Sequence, residues 1–388
     1  MTAGKSLIWY VGGEDLSMRV PLLKRLEVRG FEVAAVGSEM SSAFDAAGIA
    51  YYRYALDRWI NPAADLHALL DLVRLMKTGR PDLVHAFDTK PGILTALAAR
   101  QVNGLRVVRT ITGMGYLFSS RSLHAAMLRP IYRAFQRSAS RTAAMTIFQN
   151  RDDQGYFLSR HMVGQDRSAM VSGSGIDVQA FLRQLPEAVQ LARLRQELGT
   201  AGKTVVTMVA RLVGHKGVLE FMRCARKVRS RNKDVAFLLV GPRETEGSQA
   251  IGPDVLEEFR EDVLCLGARQ DVPSILAASD VFVLPSYYRE GVPRVLLEAG
   301  AVGLPLVTTD MPGCRDVVRH GWNGLLVRPR DVESLCGAVE TIVGDLAAWR
   351  QRAERNKQHI ERNFGIEMVA DSYARIYRSV LAADSGDR

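Results

Sequence analysis

The sequence predicts an α/β protein built from two doubly wound parallel sheets, and three observations carry that expectation. Short apolar runs alternate with helix-like stretches, a spacing that builds parallel sheets with helices on both faces. At 388 residues the chain exceeds one typical domain and suits two. The alternation pauses once, around Val178–Gly202, where an apolar-basic run, a polar amphipathic stretch and Gly199-Thr-Ala-Gly-Lys203 mark a link.

The first set of expected strands is Ser6–Val11, Glu32–Val36, Asp82–Phe87, Arg106–Ile111 and Met145–Phe148. The second is Thr204–Ala210, Ala236–Val240, Val263–Leu266, Val281–Leu284 and Pro305–Thr308. Between them Met18–Arg29, Asp65–Lys77, Val218–Arg229 and Val332–Val343 show helical periodicity. From Gly365 the spacing of Met368, Tyr373, Ile376, Tyr377 and Val380 reads as a helix, and the polar tail after it is expected to be disordered. The domains expected from this pattern are residues 1–185, residues 186–365, and a C-terminal helix and tail over 366–388.

The net charge of +9 points to an anionic partner (nucleic acid, a phosphorylated substrate or an acidic membrane face) or to solubility alone, and charge leaves these open. Four cysteines without a C-x-x-C pair argue against a zinc site or a disulfide framework and fit a reducing cytoplasm. The apolar run Leu7–Val11 is too short for a signal-peptide core and no stretch reaches the length of a membrane span, so a cytoplasmic location is expected. No nucleic-acid motif or aromatic-rich basic patch accompanies the charge, which ranks nucleic acid last among partners.

In doubly wound sheets ligands bind beyond the C-terminal strand ends, so the loops there carry the candidate chemistry. Gly12 and Gly13 follow the first strand and let backbone approach a ligand, although their spacing is not a dinucleotide fingerprint and a plain turn is the alternative. Arg211 and Lys216 flank the start of a helix whose free amides add to their charge, a seat for a diphosphate; two solvated bases are the alternative. Glu290 stands in a Gly/Pro turn and Glu298 in the helix that follows. Pro293 is expected in the first helical turn, leaving the Gly291 and Val292 amides as donors toward phosphate. Glu290 as a cap and Glu298 paired with Arg294 is the structural alternative, which the residues alone leave open.

In combination these segments resemble the retaining glycosyltransferases of family 4. The resemblance rests on Ala210-Arg-Leu with Lys216-Gly217, Leu284-Pro-Ser-Tyr-Tyr-Arg-Glu290-Gly-Val-Pro293 with Glu298-Ala, Pro305–Thr309 and Gly321–Val327, and covers the C-terminal half. It implies a GT-B fold, two facing Rossmann-like domains with a C-terminal helix returning to the N-terminal one. It further implies that Arg211 and Lys216 hold a donor diphosphate and that Glu290 contacts donor-sugar hydroxyls. Glu298 would meet the nucleotide ribose, and Gly12 and Gly13 would approach the donor from the other domain. Arg211, Lys216 and Glu290 are the expected catalytic residues, and neither glutamate is expected to be a covalent nucleophile.

In the N-terminal half, His85-Ala-Phe-Asp88-Thr-Lys90 and Thr110-Ile-Thr112-Gly113-Met-Gly115 are similar to enzymes that extend polyprenyl-diphosphate-linked sugars. That similarity implies an acceptor site drawn from His85, Asp88, Lys90, Thr112 and Gly113, and Arg129 and Arg133 are expected to join it from a separate arginine stripe. Thr112 stands where many relatives carry a His. Arg129, Arg133, Arg137 and Arg141 recur every four residues and form a helical stripe that suits anionic headgroups or a lipid diphosphate, or simply solvent. Tyr116, Leu117 and Phe118 either enter a bilayer or pack.

The expected activity is transfer, with retention, of a hexose or N-acetylhexosamine from a UDP-sugar to a polyprenyl-diphosphate-linked saccharide in cell-surface glycan assembly. The enzyme would sit peripherally on the inner face of the cytoplasmic membrane. No D-x-D triplet occurs, so chemistry without a metal or other cofactor is expected. The rivals are a nucleotide-sugar epimerase or hydrolase on the same fold, and a non-catalytic nucleotide-sugar-binding subunit.

Overall fold

The computed structural model describes residues 5–13, 15–57, 61–120, 122–243 and 249–383, with Tyr116 and His124 described by backbone alone. It divides into two units, Met1–Gly175 with Ile366–Arg388, and Ile176–Gly365.

The described residues of the first unit form seven strands: β1 (Leu7–Val11), β2 (Glu32–Gly37), β3 (Ala50–Arg53), β4 (Leu83–Phe87), β5 (Arg106–Ile111), β6 (Met145–Phe148) and β7 (Ser168–Met170). They pair in the order β3-β2-β1-β4-β5-β6-β7, all parallel. Ile8 of β1 lies opposite Val33 on one side and Leu83 on the other, so the order reverses between β1 and β4. The interior strands read as nearly unbroken apolar runs because helices cover both faces.

The second unit repeats the plan with β8 (Thr204–Val209), β9 (Val235–Val240), β10 (Leu264–Gly267), β11 (Val281–Leu284), β12 (Leu306–Thr309) and β13 (Gly324–Val327). Their order is β10-β9-β8-β11-β12-β13, again all parallel, with the reversal between β8 and β11. Phe221, Phe237, Phe282 and Leu296 fill its core.

The expected strands all form, within a residue or so at each end. The pattern missed β3, β7 and β13, which run only three to four residues. Each lies at an edge of its sheet, where one missing neighbour relaxes the demand for apolar side chains. The units part at Gly175/Ile176, before the expected boundary at residue 185. Ile176, Val178 and Phe181 explain the shift, because all three pack into the core of the second unit.

The last helix, Ile366–Ala382, belongs to the first unit as the resemblance implied. It buries Val369, Tyr373, Tyr377 and Val380 beside Tyr10, Phe31 and Val33, each large side chain contributing about 1.5–3 kcal/mol. Its outer face is pinned by Arg29 to Asp371 (2.7 Å) and Glu367 (2.9 Å). The tail from Asp384 onward lies outside the described residues.

Candidate active site

In the second unit, the loop after β8 carries Arg211, a 3-10 turn over Gly214–Lys216, and Gly217 at φ 81°, from which the Val218–Arg231 helix starts. A Cβ on Gly217 would meet the Pro285 carbonyl oxygen at 2.2 Å, so glycine lets the loops after β8 and β11 close on each other. Tyr287 N donates to His215 O (3.0 Å), and the His215 and Tyr288 rings lie 4.5 Å apart. The Lys216 ammonium thereby sits 2.8 Å from Glu290 Oε2, while Ser286 Oγ donates to Glu290 Oε1 (2.9 Å). Both partners are mostly shielded, with side chains 16% and 15% exposed, which strengthens their attraction over that of a surface pair. Arg211 lies exposed at the rim of the same loop.

Glu298 pairs with Arg294 (2.9 Å) one turn earlier, the arrangement that the structural alternative described. Burial raises its carboxyl above the ordinary value, and the arginine works in the opposite direction. The helix spans Arg294–Val302 and Pro293 precedes it with an extended ψ of 115°. The expected helical place of Pro293 is therefore corrected: Gly291 and Val292 lie in the turn, and the first helical amides belong to Arg294 and Val295. Gly313 approaches so closely that a Cβ there would meet the Gly291 oxygen at 1.8 Å, which holds this turn from behind. Ser286 escaped the sequence reading although it stands inside the quoted motif, because a lone serine carries no period or charge.

In the first unit, Gly12 closes β1 by donating to Val36 O (3.0 Å) and accepting from Tyr54 Oη (3.0 Å), and Gly13 follows half-buried. Asp88, Thr112 and Gly113 stand at the ends of β4 and β5, with Thr112 Oγ1 donating to the Asp88 carboxylate. Lys90 is drawn to Asp65 (2.5 Å) and to the Asp57 carbonyl (2.7 Å).

Three acceptor expectations meet a different outcome. His85 is fully buried, its Nδ1 2.5 Å from Tyr377 Oη and its Nε2 2.7 Å from Thr110 Oγ1. Burial drives its pKa well below the ordinary value, so it is a neutral core residue that no acceptor reaches. Arg129 donates to the Leu117 (2.8 Å) and Ser120 (2.9 Å) carbonyls, and Arg133 to Tyr156 Oη (2.8 Å). Those arginines tie the Leu123–Thr142 helix to its neighbours because each guanidinium satisfies a carbonyl or hydroxyl within reach. Leu117 and Phe118 pack, as one of the two readings held; the Tyr116 side chain lies outside what is described.

A family model for glycosyl transferases group 1 matches residues 203–345, and one for the glycosyl transferase 4-like domain matches residues 20–173. Together the two models span most of the chain. It belongs to the glycosyltransferases of family 4. Among curated relatives, the UDP-Gal:alpha-D-GlcNAc-diphosphoundecaprenol alpha-1,3-galactosyltransferase of Escherichia coli is 29% identical over 300 residues, covering 76% of this chain and 75% of the relative. The N,N'-diacetylbacillosaminyl-diphospho-undecaprenol alpha-1,3-N-acetylgalactosaminyltransferase of Campylobacter jejuni subsp. jejuni serotype O:2 is 24% identical over 376 residues, covering 96% and 97%. Among solved structures, Anabaena HepE in complex with UDP and glucose superposes with a TM-score of 0.76 at 19% identity, covering 96% of this glycosyltransferase and 100% of that chain. That likeness shows the GT-B fold. The matches to glycosyltransferase families make this chain an enzyme of sugar transfer.

Proposed function

We propose that this glycosyltransferase moves a sugar from a UDP-sugar to a polyprenyl-diphosphate-linked saccharide, with retention of the anomeric configuration. The observation that carries the donor half is the Lys216–Glu290 pair at the reversal point of the second sheet, beside Arg211 and a helix start. A diphosphate takes the charge of Lys216 and Arg211, and Glu290 then accepts hydrogen bonds from sugar hydroxyls. Glu298 takes the nucleotide ribose. As the bond from anomeric carbon to phosphate breaks, negative charge builds on the leaving diphosphate, where Lys216 and Arg211 stabilise it. The acceptor oxygen bonds to the same face of that carbon and its proton passes to the departing phosphate. Positive charge from these side chains does the work of a cation, so EDTA is expected to leave the rate unchanged.

The relatives' names support the lipid-linked acceptor, and the Leu123–Thr142 helix supports docking on a membrane. Its described exposed positions from Leu123 to Phe135 are all apolar: Leu123, Ala126, Met127, Pro130, Ile131, Ala134 and Phe135. Leu123 is 85% exposed and Met127 76%, and the helix contains no Asp or Glu. An apolar face bordered by arginines suits the boundary between headgroups and acyl chains. Among the described residues no helix is long and apolar enough to cross a membrane, so the docking is peripheral.

Purified enzyme is to be incubated with UDP-galactose or UDP-N-acetylgalactosamine and undecaprenyl-diphosphate-linked N-acetylglucosamine, with products weighed by mass spectrometry. A mass gain of one sugar on the lipid is expected; UDP released equally fast without lipid would point to the hydrolase instead. Serine at Leu123, Met127, Ile131 and Phe135 should abolish flotation with phosphatidylglycerol-containing vesicles. Undiminished flotation would rule out this face.

A further inference from the structure

Arg330, between β13 and the Val332–Gly344 helix, holds φ 62°. A residue with a Cβ keeps this left-handed backbone only where its surroundings impose it. Asp331, next along the chain, is fixed twice: it pairs with Arg328 (2.8 Å) and caps the helix by accepting from Ser334 N (2.9 Å). The guanidinium that this backbone presents lies 4.2 Å from the centre of the Tyr287 ring, a cation over an aromatic face.

Tyr287 in turn holds the segment that carries Lys216. Its N–H donates to His215 O (3.0 Å), and a Cβ on Gly214 would come 3.6 Å from its hydroxyl, so amide and ring together cover the Gly214–Lys216 turn. A 3-10 turn of three residues, opened by Gly214 and followed by Gly217, has little stiffness of its own. Glu220, one helical turn beyond Lys216, faces the same group. Burial raises its carboxyl, and Arg223 and Arg330 pull it back. The attraction draws Arg330 toward the ring.

We infer that Arg330 is a positioning residue for Lys216, acting through Tyr287, an inference that rests on the donor reading of Lys216. The leaving diphosphate gains charge at one place, and an ammonium displaced by about an ångström loses much of its effect there. The chain of contacts joins the loops after β8, β11 and β13, so three strand ends of one sheet set where the ammonium stands. Glycine at position 330 would relieve the backbone and supply no cation. Stability and activity therefore pull apart at this position.

The test uses the full chain carrying Arg330→Gly, Arg330→Lys, Tyr287→Leu, Lys216→Ala, or Lys216→Ala together with Arg330→Gly. Turnover of the substrates named above, UDP affinity by titration calorimetry and melting temperature are read in parallel. The calorimetric arm reads the same relations without any acceptor. Arg330→Gly and Tyr287→Leu should each lower kcat about 10-fold and weaken UDP binding about 3-fold. Arg330→Gly should keep the wild-type melting temperature, since the relieved backbone offsets the lost contact. Arg330→Lys should recover part of the loss. Added to Lys216→Ala, Arg330→Gly should cost nothing further, because its effect runs through the lysine. Wild-type kcat and UDP affinity in Arg330→Gly overturn the inference. So does a melting temperature that falls in step with kcat, or a loss that multiplies with that of Lys216→Ala. Lys216→Ala at wild-type turnover and UDP affinity ends the donor reading and this inference with it, whereas an impaired Lys216→Ala beside an unimpaired Arg330→Gly ends this inference alone.

Discussion

The two units hold their polar residues in opposite ways. In the second, Lys216, Ser286 and Glu290 meet one another in the loops beyond β8 and β11. In the first, most polar residues that stood out in the sequence are bound into the fold itself. His85 closes a chain from Thr110 to Tyr377, and Arg129 and Arg133 fasten one helix to its neighbours. Arg109 is buried, donating to Gln136 Oε1 (2.6 Å), Ser140 Oγ (2.6 Å) and Thr146 Oγ1 (3.2 Å), with no carboxylate partner among the described residues. The comparison teaches that a charged residue near a strand end marks chemistry only when its partners lie in the site as well.

The sharpest division comes from Lys216→Ala. Turnover should fall about 10²- to 10³-fold, as for loss of one group facing developing charge, with the melting temperature nearly unchanged. Wild-type turnover in that variant would remove the donor assignment and with it the contrast. Arg109→Ala should do the reverse. It leaves a cavity and strands Gln136 and Ser140, costing roughly 3 kcal/mol of stability measured by urea denaturation, while the remaining folded enzyme keeps its kcat.

His85 offers a pH test of the same kind. Its folded pKa lies well below the ordinary value because burial opposes its charge. Below pH ~6.5 the unfolded chain therefore takes up a proton that the folded chain refuses, and this residue's contribution to stability falls by up to about 1.4 kcal/mol per pH unit. Above that pH its contribution is flat. The melting temperature of His85→Asn should depend less on pH between 6.5 and 5 than that of wild type, and an identical slope would place the titration elsewhere. The smallest effect is expected at Glu298→Gln, which keeps the shape but weakens a charge-assisted bond, raising the donor KM about 3- to 10-fold with kcat retained. A fall in kcat with KM unchanged would move Glu298 from ribose recognition to the reacting centre.

Much of the donor half was legible because its signals are local. An apolar strand, a Gly/Pro turn and a helix start occur within about a dozen residues from Val281 to Arg294, so the segment that carries Glu290 is readable from neighbouring residues, while Lys216 and Gly313 reach it from elsewhere in the unit. The acceptor half was less legible because the decisive partners are remote. His85 looks like a strand-end candidate until Tyr377, 292 residues away, closes over it.

The sequence by itself determined two parallel αβ units, the interior strands, the loops that carry Arg211, Lys216 and Glu290, and the helix that carries Glu298. Period and turn chemistry are properties of neighbouring residues, and burial on both faces leaves interior strands little choice of side chain. Only the tertiary structure decided the edge strands, the crossing at Gly175, the burial of His85 and Arg109, and the exposure of the Leu123–Phe135 face. Each of those depends on which surfaces meet. A leucine at a helical period is core if something covers it and a docking face if nothing does, and the pattern is the same in both cases.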